Sequence, residues 1–130
     1  MPITTLFIDR DGVINQDSPD YIKTAEAFHF LPRSPEAFAL MKAHRLSGMV
    51  ITNQSIIGRG WVTEETLTAI FKKMVTGIEE AGGHVDDIFF CPHTPDDDCA
   101  CRKPKPGLIM EACRTHGIDP ADSVMRSAMV

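Results

Sequence analysis

The sequence predicts an α/β domain: a parallel sheet, doubly wound into three layers by helices on both faces. Three observations carry that prediction. Short apolar runs rich in β-branched and aromatic residues alternate with longer stretches of helical periodicity. Polar, chemistry-bearing residues stand directly after those runs, where an open sheet of this kind gathers its ligands. The chain has 130 residues, 43% hydrophobic and 24% charged. Residues 1–130 therefore read as a single domain, long enough to bury about two-thirds of its unfolded surface.

"ITTLFI", residues 3–8, is the first strand and ends at Asp9. Residues 16–33 are mixed and turn-rich, so they read as a loop with a short strand near Phe28–Leu31. "SPEAFALMKAHR" starts a helix, with Ser34 as N-cap, Pro35 at the first helical position and Glu36 in the first turn. "GMVIT", 48–52, is the second strand. In "TEETLTAIFKKMVTGIEEAGG", Leu67, Ile70, Phe71, Met74, Val75 and Ile78 share one helical face, and Gly82–Gly83 ends the helix. "VDDIFF", 85–90, is the third strand, and a cysteine-rich loop follows to 101. "PGLIMEACRTHG" is the last helix, from Pro106 to Gly117, and "DSVM" starts a fourth strand.

The net charge of −5 offers no basic field for nucleic acid. No apolar run reaches membrane-spanning length, and the N-terminus lacks a signal peptide's charged and apolar regions. The expectation is a cytoplasmic protein with neither nucleic acid nor membrane as partner.

Three features converge on the carboxyl ends of the predicted strands. Asp9 and Asp11 close the first, with Gly12 permitting a backbone conformation other residues resist. Two carboxylates this close repel each other unless a cation lies between them, which points to Mg²⁺. Thr52, Asn53, Gln54 and Ser55 close the second strand. Arg102 and Lys103 follow the cysteine loop. Phosphoryl transfer requires this mixture of nucleophile, acid or base, and donors for spread negative charge. Taken singly, the acidic pair and "TNQS" are equally at home in solvated turns; it is their convergence that favours a site.

Cys91, His93, Cys99 and Cys101 form C-x-H-x5-C-x-C. One imidazole and three thiolates suit a closed, structural, tetrahedral Zn²⁺ site. Such a site is worth on the order of 10 kcal/mol when it orders its own loop, and it would position Arg102 and Lys103. The alternatives are reduced cysteines in a loop or a redox pair in Cys-Ala-Cys. The spacing is unlike that of DNA-reading zinc fingers, and no basic recognition helix follows. Asp96, Asp97 and Asp98 read as a solvated tip. Cys113, Met41 and Met74 read as core, and Trp61 as a packing residue flanking Arg59. His29, His44, His84 and His116 read as surface or core.

"DRDGVIN", "TNQS" and "CRKPKPG" together resemble the haloacid-dehalogenase-like (HAD) phosphatases. More narrowly, they resemble the D-glycero-D-manno-heptose bisphosphate phosphatases and their histidinol-phosphatase relatives. The likeness runs from about Leu6 to about Met125. It implies a cap-less, HAD-like Rossmannoid fold and a family monomer that hydrolyses a small phosphosugar in lipopolysaccharide biosynthesis. Asp9 would be the nucleophile, forming a phosphoaspartate. Asp11 would be the general acid, then the base, and Arg10 would be structural or peripheral. Thr52 would donate to the phosphate, with Asn53, Gln54 and Ser55 extending that contact. Lys103 would neutralise charge, and Arg102 would hold substrate. Asp9 and Asp11 would bind Mg²⁺, the latter through its main-chain carbonyl.

"SIIGRG" is similar to the family's "SGIGRG", with Ile56 where glycine is usual, so Arg59 is carried over as a substrate contact in a re-aimed loop. Asp17 is carried over from "QDSPDYIK". Arg126-Ser127-Ala128 stand where the family's glycine-aspartate step comes, and the chain stops at Val130. The expectation is therefore a form lacking the final strands and helices and a Mg²⁺-site acid. Weak metal binding, impaired turnover, and self-association through a partly unpaired first strand would follow. A phosphosugar-binding module and a histidinol-phosphate phosphatase are the alternative readings.

Overall fold

A computed structural model describes residues 3–97, 99–101, 103 and 107–126. The strands β1 (Thr5–Ile8), β2 (Ser47–Asn53), β3 (Asp87–Cys91) and β4 (Ser123–Arg126) form one sheet in the order β3-β2-β1-β4. All three pairings are parallel. Each strand therefore returns through a crossover, which places helices on the faces.

Successive strand residues point to opposite faces, and the core divides accordingly. Ile8 and Val50 join Ile14, Phe28, Phe38, Ile70, Met74 and Ile78 on one side, beneath helices α1 (Ser34–Ala43) and α3 (Glu64–Glu80). Phe7, Met49, Ile51 and Phe89 meet Leu108 and Ala112 of helix α4 (Gly107–His116) on the other. This is the three-layer, doubly wound arrangement expected. It explains why β1 and β2 read as unbroken apolar runs rather than alternating ones.

Several boundaries differ from the sequence reading. Ser34 is the first residue of α1 rather than its cap. Arg33 holds the cap position at φ 71°, and the Ser34 hydroxyl donates to the carbonyls of Ile14 (2.6 Å) and Leu31 (3.1 Å). The serine thus ties the helix to the preceding loop. Helix α3 is capped by Thr63, whose hydroxyl accepts from the Thr66 N–H. Residues 28–31 form no strand; Phe30 makes one isolated antiparallel bridge to Asn15. A short helix α2 (Ser55–Gly58) was not foreseen. Ile56 within it is buried, so the residue that departs from the family pattern fills core.

The expected unpaired stretch of the first strand is not found. Every residue of β1 has a partner on both β2 and β4, from Thr5 to Ile8. Among the described residues the outer strands of the sheet are β3 and β4, where Val124 is exposed. Asp119 and Asp122 lie in the turn before β4, where the Asp122 carbonyl accepts from the Thr4 N–H at the opposite end of the sheet from Asp9. Residues 127–130, with Ser127 and Ala128, lie outside the described residues.

Candidate active site

Parallel strands bring their carboxyl ends to one side, and the turns that follow them carry the polar residues. After β1 the chain makes a tight turn in which the N–H groups of Val13, Ile14 and Asn15 all point to the Arg10 carbonyl. Gly12 permits it at φ 82°, as its identity suggested. The turn aims Asp11 back across the end of the sheet. Asp11 Oδ1 accepts from Arg10 Nη2 (2.8 Å) and Nε (3.2 Å) and from Asn15 Nδ2 (3.0 Å). Its Oδ2 accepts from Gln54 Nε2 (3.0 Å), which also donates to Thr52 Oγ1 (2.9 Å). One amide thus fixes the acid after β1 relative to the hydroxyl at the end of β2.

Arg10 is not peripheral. It is only 1% exposed, and its guanidinium lies 6.0 Å from the Phe28 ring centroid and 5.8 Å from that of Phe71. Aromatic faces satisfy what hydrogen bonds do not, since Nη1 has no hydrogen-bond partner among the described residues.

Lys103 enters from the cysteine loop. Its ammonium is 2.6 Å from Asp9 Oδ1, with both side chains 9% exposed. Its own backbone is gripped by Asn53. The Lys103 N–H donates to Asn53 Oδ1 (2.9 Å), and Asn53 Nδ2 donates to the Lys103 carbonyl (3.3 Å). Both ends of the Asn53 amide are engaged by one residue fifty positions away.

These groups surround a cavity of about 480 Å³. Asp9, Asp11, Asp17, Thr52, Asn53, Gln54, Ser55 and Lys103 all line it, so the structure brings together eight of the ten predicted substrate or catalytic residues. Arg59 stands behind the wall, donating from Nε to Ser55 Oγ (3.1 Å). Arg102 lies outside the described residues. Sequence reasoning missed Ser18, Pro19, Tyr21 and Ile22, which complete the wall. The signal available for them was an aromatic residue beside a Ser-Pro turn in a loop that follows the acidic pair.

Beside this cavity, one ligand atom each from Cys91, His93, Cys99 and Cys101 lies within 4.8 Å of the others. Cys91 Sγ is 3.5 Å from both His93 Nδ1 and Cys99 Sγ, and 2.8 Å from Cys101 Sγ. Zn–S bonds of about 2.3 Å place tetrahedral sulfurs about 3.8 Å apart, so a small outward adjustment accommodates the ion. Burial pushes the Cys91 thiol up, and burial with the neighbouring thiols pushes Cys101 up to about 12. A bound cation reverses that preference by stabilising thiolates. The donor set fits Zn²⁺.

No protein-family model matches the chain. The D-glycero-β-D-manno-heptose-1,7-bisphosphate 7-phosphatase of Bordetella bronchiseptica is 43% identical over 116 residues, which is 89% of this chain and 65% of the relative. A protein named probable D-glycero-D-manno-heptose-1,7-bisphosphate 7-phosphatase, from Thermoplasma volcanium, is 37% identical over 93% of this chain and 82% of its own length. The chain belongs to the D-glycero-D-manno-heptose-1,7-bisphosphate 7-phosphatase family. It spans somewhat less than two thirds of the Bordetella relative.

The heptose-bisphosphate phosphatase family supplies a solved structure as well. The B. bronchiseptica D,D-heptose 1,7-bisphosphate phosphatase, complexed with magnesium and phosphate, superposes with a TM-score of 0.87 at 42% identity, covering 90% of this chain and 65% of that one. Carboxylate and carbonyl oxygens at Asp9 and Asp11 are the hard donors Mg²⁺ prefers. Among the described residues, no helix is long and apolar enough to cross a membrane.

Proposed function

We propose that this chain hydrolyses the 7-phosphate of D-glycero-D-manno-heptose 1,7-bisphosphate, a step in lipopolysaccharide sugar synthesis. The observation that carries the reading is the buried 2.6 Å contact between Lys103 and Asp9, in a cavity shared with Asp11, Gln54 and Thr52.

A carboxylate attacks an anionic phosphate only when the repulsion is cancelled. Lys103, aimed at Asp9 Oδ1, supplies one such charge. Asp9 forms the bond to phosphorus while the ester P–O bond breaks, and Asp11 gives its proton to the departing sugar oxygen. Asp11 then takes a proton from water as the water oxygen attacks the phosphoaspartate, releasing phosphate and restoring Asp9. Gln54 holds Asp11 in place throughout. Thr52 accepts from Gln54, which leaves its own hydrogen to donate to a phosphate oxygen. The Asp9 carboxylate and the Asp11 carbonyl would hold Mg²⁺, which would supply further neutralisation of carboxylate and phosphate.

The names of the relatives favour the heptose substrate over histidinol phosphate. The four cysteines carry no disulfide, which supports a reducing, cytoplasmic setting. A monomer working on a free phosphosugar is the proposed form; the covering of β1 by β4 supports it.

The test is Mg²⁺-dependent phosphate release from the heptose bisphosphate and from histidinol phosphate. Turnover is expected on the first. Asp9→Asn is expected to abolish it, and Lys103→Ala to lower kcat about 10²- to 10³-fold. Tight phosphate binding without turnover overturns the enzyme reading in favour of a binding module. Preference for histidinol phosphate overturns the substrate.

A further inference from the structure

Two buried side chains reach the Asp11 carboxylate from behind the cavity wall. Arg10 is 1% exposed and Asn15 0%; neither lines the cavity, whereas Asp11 does. Both aim at one atom. Asp11 Oδ1 accepts from Arg10 Nη2 and Nε and from Asn15 Nδ2. A carboxylate oxygen offers about two lone-pair directions, so these donors close Oδ1 to any further partner. Among the described residues, Oδ2 accepts only from Gln54 Nε2, which leaves it one direction for a proton. Gln54 lines the cavity, so Oδ2 is the oxygen on the cavity side.

The two holders are themselves fixed. The Asn15 carbonyl accepts from the Gly12 N–H at 2.9 Å, and the Asn15 N–H donates to the Arg10 carbonyl at 3.2 Å, so Asn15 closes the turn that carries Asp11. Its Nδ2 also donates to the Gln16 carbonyl at 3.1 Å, and its backbone bridges to Phe30. Phe30 meets Phe28 edge to face at 5.1 Å, and Phe28 with Phe71 flanks the Arg10 guanidinium. Apolar residues fill a place among aromatic rings as well as a buried arginine does. What the arginine adds is a directed pair of charged donors to one carboxylate oxygen.

We propose that Arg10 and Asn15 are positioning residues for the acid step: they fix Asp11 so that Oδ2, and not Oδ1, hands the proton to the departing sugar oxygen. As the bond from Asp9 to phosphorus forms, the ester P–O bond breaks with its electron pair on the sugar oxygen. The proton on Oδ2 moves to that oxygen in the same step. This deepens the phosphatase reading and rests on it. Without Arg10 and Asn15 the carboxyl is free to turn, and either oxygen faces the leaving group.

The test compares two phosphate monoesters. Heptose 1,7-bisphosphate has an alkoxide that leaves only with a proton; p-nitrophenyl phosphate has a phenolate that leaves without one. The readout is kcat/KM, which covers phosphoryl transfer to Asp9 and excludes the later hydrolysis. Asn15→Ala is expected to lower it about 10- to 10²-fold on the heptose substrate but no more than about twofold on the aryl ester, the scale and pattern of a misplaced acid. Arg10→Lys keeps the charge and much of the packing but loses the fork, and the same split is expected. A purely structural role lowers both esters together. Equal loss on both, or loss on neither, overturns the proposal. A crystal structure of Arg10→Lys reads the orientation without turnover: a rotated or divided Asp11 carboxyl supports the proposal, and one kept in the parent rotamer overturns it. Absence of turnover in the unmodified chain therefore sinks the phosphatase reading, while this one is decided by the carboxyl.

Discussion

At the residue scale, the decisive relation is between Asn53 and Lys103. Asn53 was read as a substrate contact, yet both ends of its amide bind the Lys103 backbone. It sets where the ammonium meets Asp9. Asn53→Ala is therefore expected to lower kcat about 10²-fold, the penalty of a reacting group displaced by about an ångström, with KM moving far less; steady-state kinetics separates the two. Arg10 makes a second case. Its buried side chain packs between Phe28 and Phe71 and donates two charged hydrogen bonds to Asp11, so Arg10→Ala leaves a cavity and removes those donors and is expected to lose about 3 kcal/mol of stability in a denaturant titration. The chemical types at the strand ends were legible in the sequence, because Asp9 and Thr52 close apolar runs, Asp11 comes two positions after Asp9, and Lys103 comes two positions after the last cysteine of the thiol cluster. Pairings between residues fifty positions apart were not. Neither was the burial of Arg10, since a charge is ordinarily exposed and only the folded arrangement of Phe28 and Phe71 makes a place for it.

At the element scale, helix α2 packs its backbone onto the cysteine loop. The Gly58 N–H donates to the Pro92 carbonyl at 2.8 Å, and a Cβ at Gly58 would collide with that same oxygen. Gly58→Ala is expected to cost about 1–3 kcal/mol, as overpacking at an unyielding backbone contact does, and thermal unfolding reads it. Helix α2 went unseen because four residues show no periodicity. The longer α3 was legible because Leu67, Ile70, Met74 and Ile78 repeat at helical spacing and are all buried. The start of α1 was misjudged by one residue for a tertiary reason: the Ser34 hydroxyl finds the carbonyls of Ile14 and Leu31 rather than its own helix.

At the scale of the whole molecule, the thiol cluster and the cavity are mechanically one unit. Cys91 ends β3, so the cluster is anchored to the sheet. Its backbone carbonyl accepts from the Gln54 N–H at 2.8 Å, which ties it to the residue that holds Asp11. Cys101 is two positions before Lys103, whose backbone Asn53 grips from β2. An ion drawing Cys91, His93, Cys99 and Cys101 together thus fixes the loop at one end while Asn53 fixes it at the other. Removal of Zn²⁺ leaves Lys103 held by Asn53, by Asp9 and by the Ile51 carbonyl, which accepts from its ammonium at 3.3 Å, and the start of the loop held by the Gly58–Pro92 bond. Chelation is then expected to lower kcat even when Mg²⁺ is resupplied, and zinc readdition to restore it. Cys99→Ser, which weakens the cluster without touching the cavity, is expected to behave as partly stripped protein. The measurement is phosphate release alongside metal content at matched Mg²⁺. Full activity in protein shown to be zinc-free would mean that the sheet, Asn53 and Asp9 position Lys103 without help from the thiol cluster.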